Sequence, residues 1–260
     1  MGAAAEPQVH VEEHGDGEPL LLLQGLGQAG WVWRDQVPVF AERWRTIVLD
    51  TRGTGRSPVP SEPYGIRDLA EDAARILGDR TAHVVGFSMG GYVALTLALA
   101  RPELVSSLVL AATGAGGPDR VPRPEHVRGA FAEAWGLPLE EFGRRTMPYT
   151  FSPGWCEGNL ERFEEILAGR MAEPTPYETI AAHTAACYAF YAEEIPVERI
   201  DVPALVVHGD ADLIVPVENG RRLAARLPRG RLAELPGRGH NLMLEDPETF
   251  NRLVLEFLPG

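Results

Sequence analysis

The chain has 260 residues, 45% of them hydrophobic and 23% charged, with a formal net charge of −13. Those values fit an ordinary globular chain, either one large domain or a domain carrying an insertion; the acidity argues against a nucleic-acid partner and against an anionic membrane surface, which both need a basic face. All 24 positive residues are arginine, which removes a lysine nucleophile, a pyridoxal Schiff base and a phosphate-loop lysine.

Residues 1–8 hold neither a basic nor an apolar leader, so no secretory signal is expected, and position 6 is not Ser or Thr, so no myristoyl anchor is expected. Residues 9–14 alternate as an edge strand would, and Gly15-Asp16-Gly17 reads as a turn. Residues 20–23 form a continuous apolar run, the pattern of a strand covered on both faces. A helix is expected over 31–40, interrupted at Pro38, then a strand over 46–49 ending in Asp50. Residues 51–63 form a loop rich in Gly, Pro and Ser. Ile66, Leu69, Ala73, Ile76 and Leu77 make a helical stripe over 66–77. Asp68, Glu71 and Asp72 lie near its start, where carboxylates suit the helix dipole. A strand over 82–87 precedes a helix over 90–100 that is apolar nearly all round, ended by Pro102. Residues 105–111 are the next buried strand.

The rhythm breaks at Gly114-Ala115-Gly116-Gly117-Pro118. Helices are expected over 125–135, 139–145, 157–172 and 179–194, with no strand between them. Residues 133–198 contain twelve acids and four arginines, a solvated face that would also disfavour anionic substrates. Cys156 and Cys187 lie in no metal-ligand spacing and read as reduced thiols of a cytoplasmic protein. Alternation resumes with a strand over 204–208, a helix over 217–227, a strand over 231–235 and a helix over 247–258. No apolar run is long enough to span a bilayer. The pattern predicts an α/β fold: a mostly parallel sheet with helices on both faces, built from 1–114 and 200–260, with a helical cap over 115–199.

One stretch carries chemistry. Gly86-Phe87-Ser88-Met89-Gly90 fits G-x-S-x-G, a sharp strand-to-helix turn that aims a serine hydroxyl outward. A serine needs a base to take its proton, and the base needs an orienting acid. His240, in the glycine-flanked loop after the last strand, can serve as base. Asp212 follows the strand over 204–208 and can serve as acid, with Asp210 as its competitor. Open α/β sheets gather ligands at the carboxyl ends of their strands, so Ser88, Asp212 and His240 would meet there. His208 beside Asp210 and Asp212 permits a metal reading, but adjacent strand positions face opposite ways. His10, His14, His83, His126 and His183 read as structural or surface residues. A different class of function is open at Gly25-Leu26-Gly27-Gln28-Ala29-Gly30: with Asp50 beyond it, this fits a nicotinamide-dinucleotide fingerprint, although Trp31 and Trp33 suit that poorly.

Five segments in order resemble the α/β-hydrolase superfamily: residues 20–27, the loop Asp50-Thr51-Arg52-Gly53-Thr54-Gly55-Arg56-Ser57 (D-x-R-G-x-G-x-S), 86–91, 210–216 and 239–247. The style is similar to its enol-lactonase and non-haem haloperoxidase/esterase members. The resemblance implies Ser88 as nucleophile, His240 as base and Asp212 as orienting acid. It implies backbone amides of Leu26 and Met89 as oxyanion donors. It also implies a small-molecule ester or lactone of a largely apolar acid as substrate, and no metal or organic cofactor. Many members carry His-Gly where this chain has Gln24-Gly25. Candidate substrate contacts are Gln24 and Gly25 in that loop, Leu213 and Met243 beside the triad, and Trp135 and Met147 in the cap. Carbon–carbon bond hydrolysis, cofactor-free lyase or cyclase chemistry, and non-catalytic ligand binding remain open on this scaffold.

Overall fold

The apolar runs become the inner strands of one seven-stranded sheet in a computed structural model that describes residues 9–259. The readings on residues 1–8 lie outside it. The strands are β1 (Val11–His14), β2 (Pro19–Leu23), β3 (Arg45–Leu49), β4 (Ala82–Phe87), β5 (Val105–Ala111), β6 (Ala204–Gly209) and β7 (Gly230–Leu235). Their spatial order is β1-β3-β2-β4-β5-β6-β7. β1 runs antiparallel to β3 at one edge, and every other pairing is parallel.

Continuous apolar runs are needed because helices cover both faces. Leu21, Leu23, Ile47, Leu49, Val84 and Leu108 pack against α1 (Ile66–Leu77) and α2 (Met89–Ala100). Leu20, Leu22, Val48, Val85 and Val109 point the other way, into a core with Trp33, Phe40, Phe250 and Val254. Burying one such side chain fully contributes roughly 1.5–3 kcal/mol. A strand apolar on both faces cannot set its own register through its pattern. Close backbone approach can do so: Leu23 pairs with Gly86, and a β-carbon on Gly90 would collide with the Leu23 carbonyl oxygen.

Between β5 and β6 the chain leaves the sheet for α3 (Glu125–Ala134), α4 (Leu139–Thr146), α5 (Leu160–Ala172) and α6 (Tyr177–Ala192). It returns for α7 (Val217–Arg226) and closes on α8 (Pro247–Phe257). Three helices differ from expectation. The one expected over 31–40 is a 3-10 turn, Gly30–Trp33, then a short helix, Val37–Phe40, with Pro38 in its first turn, where a missing N–H costs nothing. The one expected over 157–172 is split at Asn159, whose non-helical backbone separates Trp155–Gly158 from α5. The one expected over 179–194 begins after Pro176 and stops at Ala192, because Glu193 is extended. Among the described residues no helix is long and apolar enough to cross a membrane.

Candidate active site

Ser88 stands alone between the last residue of β4 and the first of α2. Its φ is 52°, a conformation that costs a residue with a side chain about 1–3 kcal/mol. The surroundings hold it there. Its amide donates to the Ala111 carbonyl at 2.9 Å, and its carbonyl accepts the Thr113 hydroxyl at 2.8 Å and the Gly91 amide at 2.9 Å. The glycines on either side answer to space: a β-carbon on Gly86 would lie 2.5 Å from the Gly90 carbonyl oxygen.

The Ser88 hydroxyl donates to His240 Nε2 at 2.9 Å, and His240 Nδ1–H donates to Asp212 Oδ2 at 2.7 Å. All three residues are at most 9% exposed. The other carboxylate oxygen of Asp212 accepts the amides of Ile214 at 2.8 Å and Val215 at 2.9 Å. His208 Nε2–H donates to the Val215 carbonyl at 2.8 Å and stands 3.2 Å from Asp212 Oδ2. Burial alone would raise the Asp212 pKa, but the charge of His240 and the hydrogen bonds of His208 and His240 overcome it and hold the carboxyl well below its usual range. A charged acid facing Nδ1–H keeps the imidazole in the tautomer whose Nε2 can accept the serine proton. Asp210 is exposed, and its Oδ1 accepts the Gly237 amide at 2.6 Å. His208 Nε2 is engaged by a backbone carbonyl and faces the triad acid, not a set of metal ligands. Among the described residues no three His, Cys, Asp or Glu side chains gather as a metal site.

Met89 and Leu26 line the same cavity as Ser88, and neither amide has a hydrogen-bond partner among the described residues. Met89 is the first residue of α2, so its N–H lies at the positive end of the helix dipole. The loop carrying Leu26 is braced on all sides. The Gly25 amide donates to Gln28 Oε1 at 3.1 Å, the Thr175 hydroxyl donates to the Gly27 carbonyl at 3.1 Å, and the Gly27 amide donates to His183 Nδ1 at 3.2 Å. The other nitrogen of His183 donates to the Arg52 carbonyl at 3.3 Å. His183, on α6, is fully buried; burial pushes its pKa down to about 4, against a smaller opposing effect of the bond to Arg52. It stays neutral, so Nδ1 can accept. It is therefore a structural residue, as expected, but one that braces the loop carrying Leu26. Its partner lies 156 positions away, and no local pattern announces the pairing.

Asp50 closes the back of this loop. Its oxygens accept the amides of Gly30 at 2.7 Å and Arg56 at 3.0 Å. Gly55 has φ of 51°, and a β-carbon there would strike that carboxylate. A dinucleotide site needs Asp50 free to meet a ribose; here it is buried and taken by backbone, which overturns that reading. Arg52, two residues on, forks onto buried Asp72 of α1 at 2.5 and 2.9 Å.

A cavity of about 430 Å³ opens over Ser88, His240, Leu26 and Met89, roofed by the helices between β5 and β6. Of the expected substrate contacts, Gly25 and Trp135 line it, and four others do not. Gln24 is fully buried and turns away, its Nε2 donating to the Leu49 carbonyl at 2.7 Å. Met243 and Met147 are buried in the core with Phe151 and Leu167. Leu213 packs against Val127, while Ile214 and Val215 take the wall. Their amides bind Asp212, and that turn swings residues 214 and 215, not 213, toward the cavity. Other wall residues, Tyr92, Phe131, Phe142, Tyr188 and Tyr191 among them, come from α2 and the roof.

A family model for the alpha/beta hydrolase fold matches residues 18–247. The chain belongs to the α/β-hydrolase family. It is 33% identical, over 94% of its length and 92% of the relative's, to a protein of Caulobacter segnis named as a candidate carbamate hydrolase, RutD. Among solved structures it is similar to Est816, described as an N-acyl homoserine lactone degrading enzyme, with TM-score 0.82, 28% identity and coverage of 98% and 99% of the two chains. It is likewise similar to the enol-lactonase from Burkholderia xenovorans LB400, with TM-score 0.82, 26% identity and coverage of 98% of both chains.

Proposed function

We propose that this protein is a serine hydrolase that cleaves a small ester or lactone through an acyl-enzyme on Ser88. The observation that carries the reading is the hydrogen-bonded series from Ser88 through His240 to Asp212, opening on a cavity with two unpaired amides beside it. Ser88 Oγ attacks the carbonyl carbon while His240 Nε2 takes its proton. The carbonyl oxygen gains negative charge and is received by the Leu26 and Met89 amides, and preset donors of this kind are among the largest contributions to such reactions. The imidazolium, stabilised by Asp212, protonates the leaving alkoxide. Water then repeats the sequence and releases the acid. The names borne by the similar lactone-cleaving structures support an ester or lactone bond, and the relatives named as carbamate hydrolases make a carbamate ester the next compound to try. In this reading residues 115–199 act as a cap that selects what reaches Ser88.

The test is a fluorophosphonate label followed by peptide mapping, combined with turnover of short 4-nitrophenyl esters, lactones and carbamate esters. We expect a Ser88 adduct and turnover that Ser88→Ala abolishes. Folded protein that turns over substrate without forming that adduct would refute the mechanism.

A further inference from the structure

The cavity wall carries four arginines, Arg120, Arg123, Arg128 and Arg170, and no Asp or Glu among the described residues. This is unexpected in a chain with 37 acids and 24 arginines. Arg128 is exposed and pairs with Glu125. The guanidinium groups of the other three have no carboxylate or hydrogen-bond partner among the described residues. Each instead lies against a ring: Arg120 is 4.1 Å from the centre of Tyr191, Arg123 4.7 Å from that of Phe131, and Arg170 5.9 Å from that of Phe142. Phe131 and Phe142 themselves meet edge to face, with centres 6.2 Å apart. The acids of the same helical block point elsewhere: Glu140 and Glu164 share Arg144, Glu141 holds Arg145, and Glu165 holds Arg34 and Arg162, at exposed positions.

A guanidinium stacked on a ring keeps its in-plane N–H groups available, and their fork matches the two oxygens of a carboxylate. Burial works against the charge of Arg170, with Tyr177 only partly opposing that effect. Arg120, Arg123 and Arg170 are each half-buried, and a guanidinium left without a counter-ion in such a place favours the entry of an anion.

We propose that the substrate carries a carboxylate in addition to the bond that is cleaved, and that Arg170 and Arg123 receive it while Arg120 adds to the positive potential. The inference rests on the hydrolase reading and narrows its substrate class. It reverses the expectation, drawn from the acidity of residues 133–198, that anionic substrates are disfavoured.

The test compares two five-carbon acyl esters, 4-nitrophenyl valerate and mono-4-nitrophenyl glutarate, which differ by the terminal carboxylate. Hydrogen bonds to a charged group are worth about 1.5–3 kcal/mol, so kcat/KM for the glutarate ester should be roughly tenfold higher or more in the wild-type protein. That ratio should fall toward one in Arg170→Gln and in Arg123→Gln, and shrink as salt is raised from about 0.02 to 0.5 M. It should persist in Arg145→Gln, which lies on the outer surface. A wild-type ratio at or below one, or a ratio untouched by both cavity variants, overturns the proposal. Because it is a ratio, partial loss of folded protein cancels. If neither ester turns over and Ser88 takes no label, the hydrolase reading fails separately. Calorimetric titration of glutarate into Ser88→Ala then decides the anion site: binding lost on adding Arg170→Gln supports it, and no binding refutes it.

Discussion

Asp210 and Asp212 are two residues apart and have opposite surroundings. Asp212 is buried and meets His240; Asp210 is exposed and meets a backbone amide. Asp212→Asn should lower kcat on ester substrates by about 10⁴, the scale of the corresponding change in a well-studied serine protease, and Asp210→Asn should change it by a few-fold at most. A larger loss from Asp210→Asn would reverse the assignment. His183 offers a test of positioning. In His183→Gln the Gly27 amide keeps a potential acceptor but loses a rigid one, so kcat should fall about tenfold with KM nearly unchanged. The same substitution should alter acid sensitivity. The folded ring resists protonation down to about pH 4, whereas the unfolded chain takes up its proton near 6.5. Protons therefore bind the unfolded chain first, and stability falls as pH drops from 6.5 toward 4, by roughly 2–3 kcal/mol at pH 4.5. Urea titrations at pH 7.5 and 4.5 should show this loss in wild type and a smaller one in His183→Gln; equal losses would remove His183 as the cause. Ser88, Asp212 and His240 were legible because each follows a strand in a loop marked by Gly or Pro. Gln24, Leu213 and Met243 were misread because adjacency in sequence says nothing of where a side chain turns.

At the scale of elements, the loop from Asp50 to Ser57 links the loop carrying Leu26 to α1. Arg52 reaches out to Asp72, and Asp50 reaches back to Gly30. Asp72 is buried and also stands 3.1 Å from Arg75. Removing one partner of a buried pair commonly costs 3–5 kcal/mol, so Asp72→Ala should lower the unfolding free energy by about that amount in a denaturant titration. A loss under about 1 kcal/mol would mean the pair is solvated in practice. Gly90→Ala, which drives a methyl group into the Leu23 carbonyl, should lose both stability and ester turnover; unchanged melting would contradict the close approach of β2 and α2. The five inner strands were easy to read because burial on both faces favours nearly continuous apolar runs, whereas the edge strands β1 and β7 are only partly buried. The helices between β5 and β6 were found but less well bounded. Their ends depend on local backbone turns at Asn159 and Glu193, which hydrophobic periodicity does not report.

Across the whole molecule, composition and architecture diverge. A net charge of −13 describes the exterior, while the cavity wall is basic. Counting charges along residues 133–198 cannot distinguish an acid facing solvent from an arginine facing inward. Only the folding of the helices over the sheet separates them. His183 carries a further consequence. Through it, α6 supplies a bond to the loop that presents the Leu26 amide, so the helical block and the sheet do not behave as interchangeable parts. A chimera that replaced residues 115–199 with the corresponding block of a relative would inherit new walls. It would also lose the brace at Gly27, unless the donor block brings its own acceptor to that amide. Compatibility at position 183, more than overall identity, should decide which recombinants turn over substrate.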